Sequence, residues 1–219
     1  EPGPHRAELQ TDYAAAHHDK VAGHLGELQR AGRRNDHLLV DRYLDARIFD
    51  LYDDPMPSRA DLEGYLGETA SAVIQLAAIV LDADKARASA EAAGHAGCAQ
   101  GIAGILRLLP RHSVRGQCYL PGDMLESVGA YRTTLRGDRE AAGRAVAGMV
   151  ALGFEHLKQF ETAARELPET LRPAFLPAAP VAAYLKRVAA LGASAFGQSV
   201  EIAALRRHLS ILRRAMRGW

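Results

Sequence analysis

Apolar residues recur along this chain at intervals of three and four, so its elements read as helices. In residues 36–54, Val40, Leu44, Ile48 and Leu51 share one row, with Leu39, Tyr43, Ala46 and Phe49 beside it. Asp36 is placed to cap that helix, and Pro55 and Pro57 stop it. Ser58 caps the next, with Asp61 where a capping-box acid stands. Its stripe of Leu62, Tyr65, Leu66, Thr69, Val73, Leu76 and Val80 belongs in the middle of a helical domain. Residues 85–106 continue as an Ala- and Gly-rich helix that Pro110 ends or kinks, leaving Arg111, His112 and Arg115 on a basic loop. Pro121 opens a short helix ending at Gly129, Asp138 caps a long one through residue 165, Pro180 opens another, and residues 198–217 form the last. No alternating run reaches strand length. The expected class is all-α.

Composition narrows the partners. A chain of 219 residues, 48% of them hydrophobic, can bury a sizeable core. With 27 basic and 26 acidic residues the net charge is +1, so no global field favours nucleic acid. Two cysteines, Cys98 and Cys118, are too few for a disulfide scaffold. Charge interrupts every apolar run before the roughly 18 residues that a spanning helix needs, and residues 1–10 lack a signal pattern. The expectation is a soluble, cytoplasmic protein.

Candidate chemistry is sparse. Asp41 and Asp45 share a helix face, as carboxylates holding Mg²⁺ can, but Arg42 and Arg47 interleave and ion pairing accounts for them better. His17, His18, Asp19 and His24 could suggest a metal site, yet neighbouring helix positions point about 100° apart, which favours a solvated face. Gly94, Gly97, Gly101 and Gly104 are read as close-packing positions, because no phosphate-loop spacing surrounds them. Cys98 is read as a small buried hydrophobe.

Two segments carry a resemblance. Residues 65–81, YLGETASAVIQLAAIVL, resemble the first signature of the squalene/phytoene synthase family, and residues 97–121 are similar to its second, without a gap between Arg107 and Pro121. The resemblance covers residues 36–219, leaving residues 1–35 as a poorly defined N-terminal segment. It implies an isoprenoid-synthase-like helical bundle whose Tyr65 and Gln100 helices line an apolar cavity. In active members an aspartate directly after the arginine and an acidic pair beyond it hold Mg²⁺ that binds diphosphates. Here those positions are Leu108, Arg111 and His112, and Gln117 replaces an arginine before the tyrosine. Leucine, guanidinium and imidazole do not supply the hard oxygen ligands Mg²⁺ requires.

Those replacements, with Pro110, Arg115, Leu120, Pro121 and Asp123, resemble a non-catalytic branch of the family linked to assembly of respiratory complex I, with bacterial counterparts. The resemblance therefore implies a protein assisting complex I assembly or binding an isoprenoid or other lipid, with no cofactor. The alternative is an active prenyl transferase using Mg²⁺ to condense isoprenyl diphosphates. The candidate cavity or ligand-binding residues are Tyr65, Thr69, Gln100, Arg107, Arg111, His112, Arg115 and Tyr119. The arginines are suited to a phosphate or acidic segment, or to ion pairs with Asp123 or Glu126. Tyr65 and Tyr119 read as packed aromatics with satisfied hydroxyls, and His112 as a structural hydrogen-bonding group. The resemblance implies N-terminal helices that residues 1–219 do not match, so the stripe around Val73 and Leu76 is expected to be partly open, covered either by a separate chain or by the rest of a longer protein of which this is a fragment. The basic C-terminal helix can lie on an anionic membrane face, or pack Leu205, Leu209 and Leu212 into the core. The location that follows is the cytoplasm, with peripheral contact at the inner membrane, or the mitochondrial matrix in a eukaryote.

Overall fold

The computed structural model describes residues 36–51 and 55–219, and every regular element among them is helical. Helix α1 (Asp36–Arg47) tightens after Arg47 into a 3₁₀ turn, Ile48–Leu51. Helices α2 (Arg59–Leu66) and α3 (Ala72–Leu81) form one rod joined by a π turn, Gly67–Ser71. After a 3₁₀ turn comes α4 (Ala90–Arg107), followed by the short α5 (Leu109–Arg115) and α6 (Gly122–Ser127). The longest helix is α7 (Arg139–Ala163), and a run of 3₁₀ turns around α8 (Arg172–Phe175) leads to α9 (Val181–Leu191). The chain ends on α10 (Ala204–Arg217). The histidines at 17, 18 and 24, Asp19, Asp53 and Asp54 lie outside the described residues.

The spine is α4 packed along α7. Helix α4 offers Ala92, Ala93, Ala96, Ala99 and Ala103, small enough for a second helix to approach, while Ile102 and Leu106 fill the gaps. Facing elements supply bulk through Val146, Met149, Leu152 and Phe160 on α7 and Leu185 on α9, each no more than 3% exposed. Fully burying a side chain of this kind contributes roughly 1.5–3 kcal/mol. The close-packing reading holds for two of the four α4 glycines. A Cβ on Gly97 would run into the Ser71 backbone and one on Gly101 into the Leu66 side chain, whereas Gly94 and Gly104 face open space. Those two contacts fix the α2–α3 rod against the spine. The helix starts follow the sequence: the Asp61 N–H donates to Ser58 Oγ at 3.2 Å and the Ala141 N–H to Asp138 Oδ1 at 2.9 Å.

Four expectations are corrected. Arg111, His112 and Arg115 sit on helix α5 and not on a loop, because Pro110 falls within the first two positions, where a missing N–H breaks no bond. Helix α3 is central on one side only: Ile74 and Ala78 are buried, while Val73 and Val80 are 52% and 86% exposed. By length and composition, Arg59–Leu81 and Glu169–Phe196 are both apolar enough to cross a membrane, although turns interrupt both and part of each is in the core. Finally, α10 starts six residues later than expected and has no buried residue, so Leu205, Leu209 and Leu212 do not pack the core.

Candidate functional site

Three segments distant in sequence meet at one carboxylate. Asp50 lies in the 3₁₀ turn after α1, Tyr65 on the last turn of α2, and Tyr119 in the bend before α6. The Tyr119 hydroxyl donates to Asp50 Oδ1 at 2.6 Å and the Tyr65 hydroxyl to the same oxygen at 2.9 Å. Arg47 Nη1 donates to the Tyr65 oxygen at 2.9 Å and stands 3.0 Å from Asp50 Oδ2. Gln117 Nε2 donates to the Asp50 backbone carbonyl at 3.2 Å. The Phe49, Tyr65 and Tyr119 rings form a triangle with centroids 5.8–6.1 Å apart, and His112 adds a fourth ring 4.7 Å from Tyr119.

Burial, then the adjacent Asp50 charge, pushes both tyrosine hydroxyls above their ordinary value, which keeps them as neutral donors. Burial pushes the His112 imidazole below its usual range, with Arg115 acting in the same direction against Asp50. Thr69 is buried and spends its hydroxyl on the Tyr65 carbonyl at 2.6 Å, within the π turn. The Gln100 side-chain oxygen is buried without a hydrogen-bond donor among the described residues.

The structure therefore gathers Tyr65, Thr69, His112 and Tyr119, but separates the three arginines. Arg107 points away from Asp50, its guanidinium 4.1 Å over the Tyr184 ring and its Nε donating to the Val200 carbonyl at 3.5 Å. Its ion pair with Glu201, at 3.9 Å and well exposed, is weak. Arg111 and Arg115 are exposed and have no ion-pair or hydrogen-bond partner among the described residues. Asp123, expected to pair with them, instead accepts the backbone N–H groups of Arg59 and Met124. Of the expected ion pairs on α1, Arg47 finds its acid at Asp50.

Sequence reasoning passed over Asp50 as one of several helix acids. Its distinguishing signal was modest: an arginine three residues before it and an aromatic beside it. It also missed a second polar cluster on the far side of α2. His156, 6% exposed on α7, sits with Nε2 3.1 Å from Glu63 Oε1 and Nδ1 3.0 Å from His95 Nδ1. Arg59 donates to Glu63 at 2.7 Å and Glu155 at 3.0 Å. The His156 hydrogen bond, with Arg59 in support, holds the Glu63 carboxyl below the usual range, and burial lowers His95. Burial pushes the nearby Cys98 thiol up to about 12, so it stays an inert thiol. A small apolar cavity of about 40 Å³ lies between α6 and α7, lined by residues including Leu120, Met124 and Met149. It has room for about one water molecule, far less than an isoprenoid tail needs.

The sequence pattern of the squalene/phytoene synthase family matches residues 5–214, nearly the whole chain and including the Tyr65 and Tyr119 segments. The chain belongs to the squalene/phytoene synthase family. The solved structure of squalene synthase HpnC from Alicyclobacillus acidocaldarius superposes with a TM-score of 0.60 over 70% of this chain and 59% of that one, at 20% identity. That likeness shows the isoprenoid-synthase-like helical fold. Among curated relatives, the NADH dehydrogenase (ubiquinone) complex I, assembly factor 6 of Rattus norvegicus is 33% identical over 184 residues, covering 80% of this chain and 54% of the relative. The protein of the same name from Bos taurus is 33% identical over 182 residues, with the same coverage. The Mus musculus protein is 32% identical over 162 residues, 73% of this chain and 48% of the relative. The chain thus spans about half the length of the curated relatives it matches.

Proposed function

We propose that this chain is a non-catalytic protein on a synthase fold that assists the assembly of respiratory complex I. The α4–α5 corner carries the reading. Where the resemblance calls for metal-holding aspartates, Leu108 stands 43% exposed, Arg111 projects into solvent, and the His112 ring packs against Tyr119. Holding Mg²⁺ against a departing diphosphate needs several carboxylate oxygens on one site, and these three side chains offer none. The names of the mammalian relatives supply the assembly half of the proposal. The partner is a protein, and the exposed apolar residues Val40 and Leu44 on α1, Ile48 in the 3₁₀ turn after it, and Val73 and Val80 on α3 are the surface suited to it. The work is done beside the membrane that houses complex I, on the matrix side in a mitochondrion or the cytoplasmic side in a bacterium.

Two measurements test this. Cells lacking the protein should show less assembled complex I on native gels, restored by the intact gene. The purified chain, given farnesyl or geranylgeranyl diphosphate with Mg²⁺, should release no squalene or phytoene. Normal complex I in the deletion strain, or product in the second assay, would overturn the proposal.

A further inference from the structure

Helix α10 is amphipathic the wrong way round for a helix resting on a protein. At 100° per residue, Leu205, Leu209, Leu212 and Met216 fall within one narrow arc. These four are 70%, 53%, 52% and 69% exposed, so the apolar arc faces away from the body. The opposite face, Arg207, Ser210, Ile211 and Arg214, is the half-buried one. It is pinned at its end: Arg214 Nη2 donates to Glu161 at 2.8 Å, its guanidinium lies 4.6 Å over Trp219, and Trp219 meets Phe160 edge-on at 4.4 Å. These contacts set the helix with its leucines outward.

Charge identifies what covers those leucines. Residues 204–217 contain five arginines, one histidine and no acid. Arg206, Arg213 and Arg217 project along one border of the apolar arc and His208 near the other, all exposed. A second copy of this helix would bring cation against cation along the seam with no carboxylate to offset it. A surface offering hydrocarbon beneath negative charge matches both features. We infer that the outward face of α10 docks on an anionic phospholipid bilayer, Leu205, Leu209, Leu212 and Met216 entering the acyl boundary and the bordering arginines meeting the headgroups. This deepens the membrane-side reading above but stands on the geometry of α10 alone, so it survives if the assembly role fails.

The test is flotation of the whole chain with vesicles. Partitioning onto phosphatidylcholine mixed with about one-third phosphatidylglycerol should exceed that onto pure phosphatidylcholine on the order of a hundredfold, through three arginines at the surface, and should weaken in high salt. Leu209→Glu with Leu212→Glu should remove at least about nine-tenths of the binding while the circular dichroism melt stays unchanged, since neither side chain touches the core. Arg206→Gln with Arg213→Gln should cut that preference to roughly fivefold, the share left to Arg217. Equal binding to neutral and anionic vesicles overturns the inference, as does retention by the Leu209→Glu/Leu212→Glu variant. A dimer in solution that those substitutions dissociate, without vesicle binding, would instead assign the face to a second copy.

Discussion

Replacing Asp50 with alanine strips the acceptor from two tyrosines and the counter-charge from Arg47 at once. A hydrogen bond to a charged partner is worth about 1.5–3 kcal/mol. The Asp50 side chain is 19% exposed, so water competes and the lower end of that range applies to each bond. Asp50→Ala should therefore cost about 3 kcal/mol, which in a chain of this length lowers the melting temperature by about 6–12 °C. The Arg47 pair adds little, since its guanidinium is half exposed. The decisive measurement is a double-mutant cycle in urea unfolding. Tyr119→Phe alone should cost about 1.5 kcal/mol, reflecting the shorter bond, but close to nothing in the Asp50→Ala background. If Tyr119→Phe costs the same in both backgrounds, the phenol does not act through Asp50, and the account of this site fails.

The other predictions are briefer. On raising the pH, Tyr65 and Tyr119 should ionise well above the ordinary tyrosine value of 10.0, because burial and Asp50 favour the neutral phenol; the stability this represents is complete below pH 10 and is lost above it. Absorbance at the tyrosinate band should show two late-titrating groups, one of which disappears in each of Tyr65→Phe and Tyr119→Phe, and both of which should titrate earlier, though still late because of burial, after Asp50→Ala. Gly101→Ala should destabilise by about 1–3 kcal/mol, since its Cβ meets the Leu66 side chain, while Gly104→Ala should be neutral or stabilise by up to about 1 kcal/mol through helix propensity; equal melts would refute the packing assignment. His95 and Glu63 both have lowered values, so each favours the fold above its unfolded titration and withdraws that support as pH falls. Stability should decline from about pH 6.5 downward and again below about pH 4.5, and His95→Gln should lessen the first decline in denaturant titrations, the half-buried His112 supplying the remainder.

What was legible in the sequence was local. Helix class, the Ser58 and Asp138 caps, the Pro110 break and the close approach at Gly97 and Gly101 each depend on neighbours within about one turn, or on side-chain size alone. The family resemblance added the Tyr65 and Tyr119 segments, and the structure does bring those rings within 6.1 Å. What stayed hidden was tertiary. Nothing in the order of residues joins Asp50 to a tyrosine 69 positions later, or Glu63 to a histidine 93 positions later. The arginines misled for the same reason: Arg107, Arg111 and Arg115 were grouped as one set suited to a phosphate or acidic segment, but the break at Leu108 separates α5 from α4 and Arg107 lies over Tyr184. The apolar arc of α10 was visible as a pattern. Its direction was not, because hydrophobic periodicity defines a face without saying whether protein or solvent meets it.

The Asp50 cluster bears on metal binding independently of the α4–α5 corner. A carboxylate recruits a divalent cation through lone pairs that are free to turn toward it. Asp50 Oδ1 already accepts two phenolic hydrogens, and Arg47 stands 3.0 Å from Oδ2 as a resident cation. An incoming Mg²⁺ would have to displace the Arg47 guanidinium from beside Oδ2 to gain a single ligand residue, where a stable site needs several. The two tyrosines of the signature segments are part of a brace that ties the 3₁₀ turn after α1 to α2 and to the bend before α6. The same brace orients the exposed row on α1, because Arg47 and Asp50 lie at its C-terminal end beside Ile48 and Leu51. Asp50 is thus engaged on Oδ1 by two phenols and flanked on Oδ2 by a guanidinium, and the brace it forms lies directly beside the exposed Ile48 and Leu51.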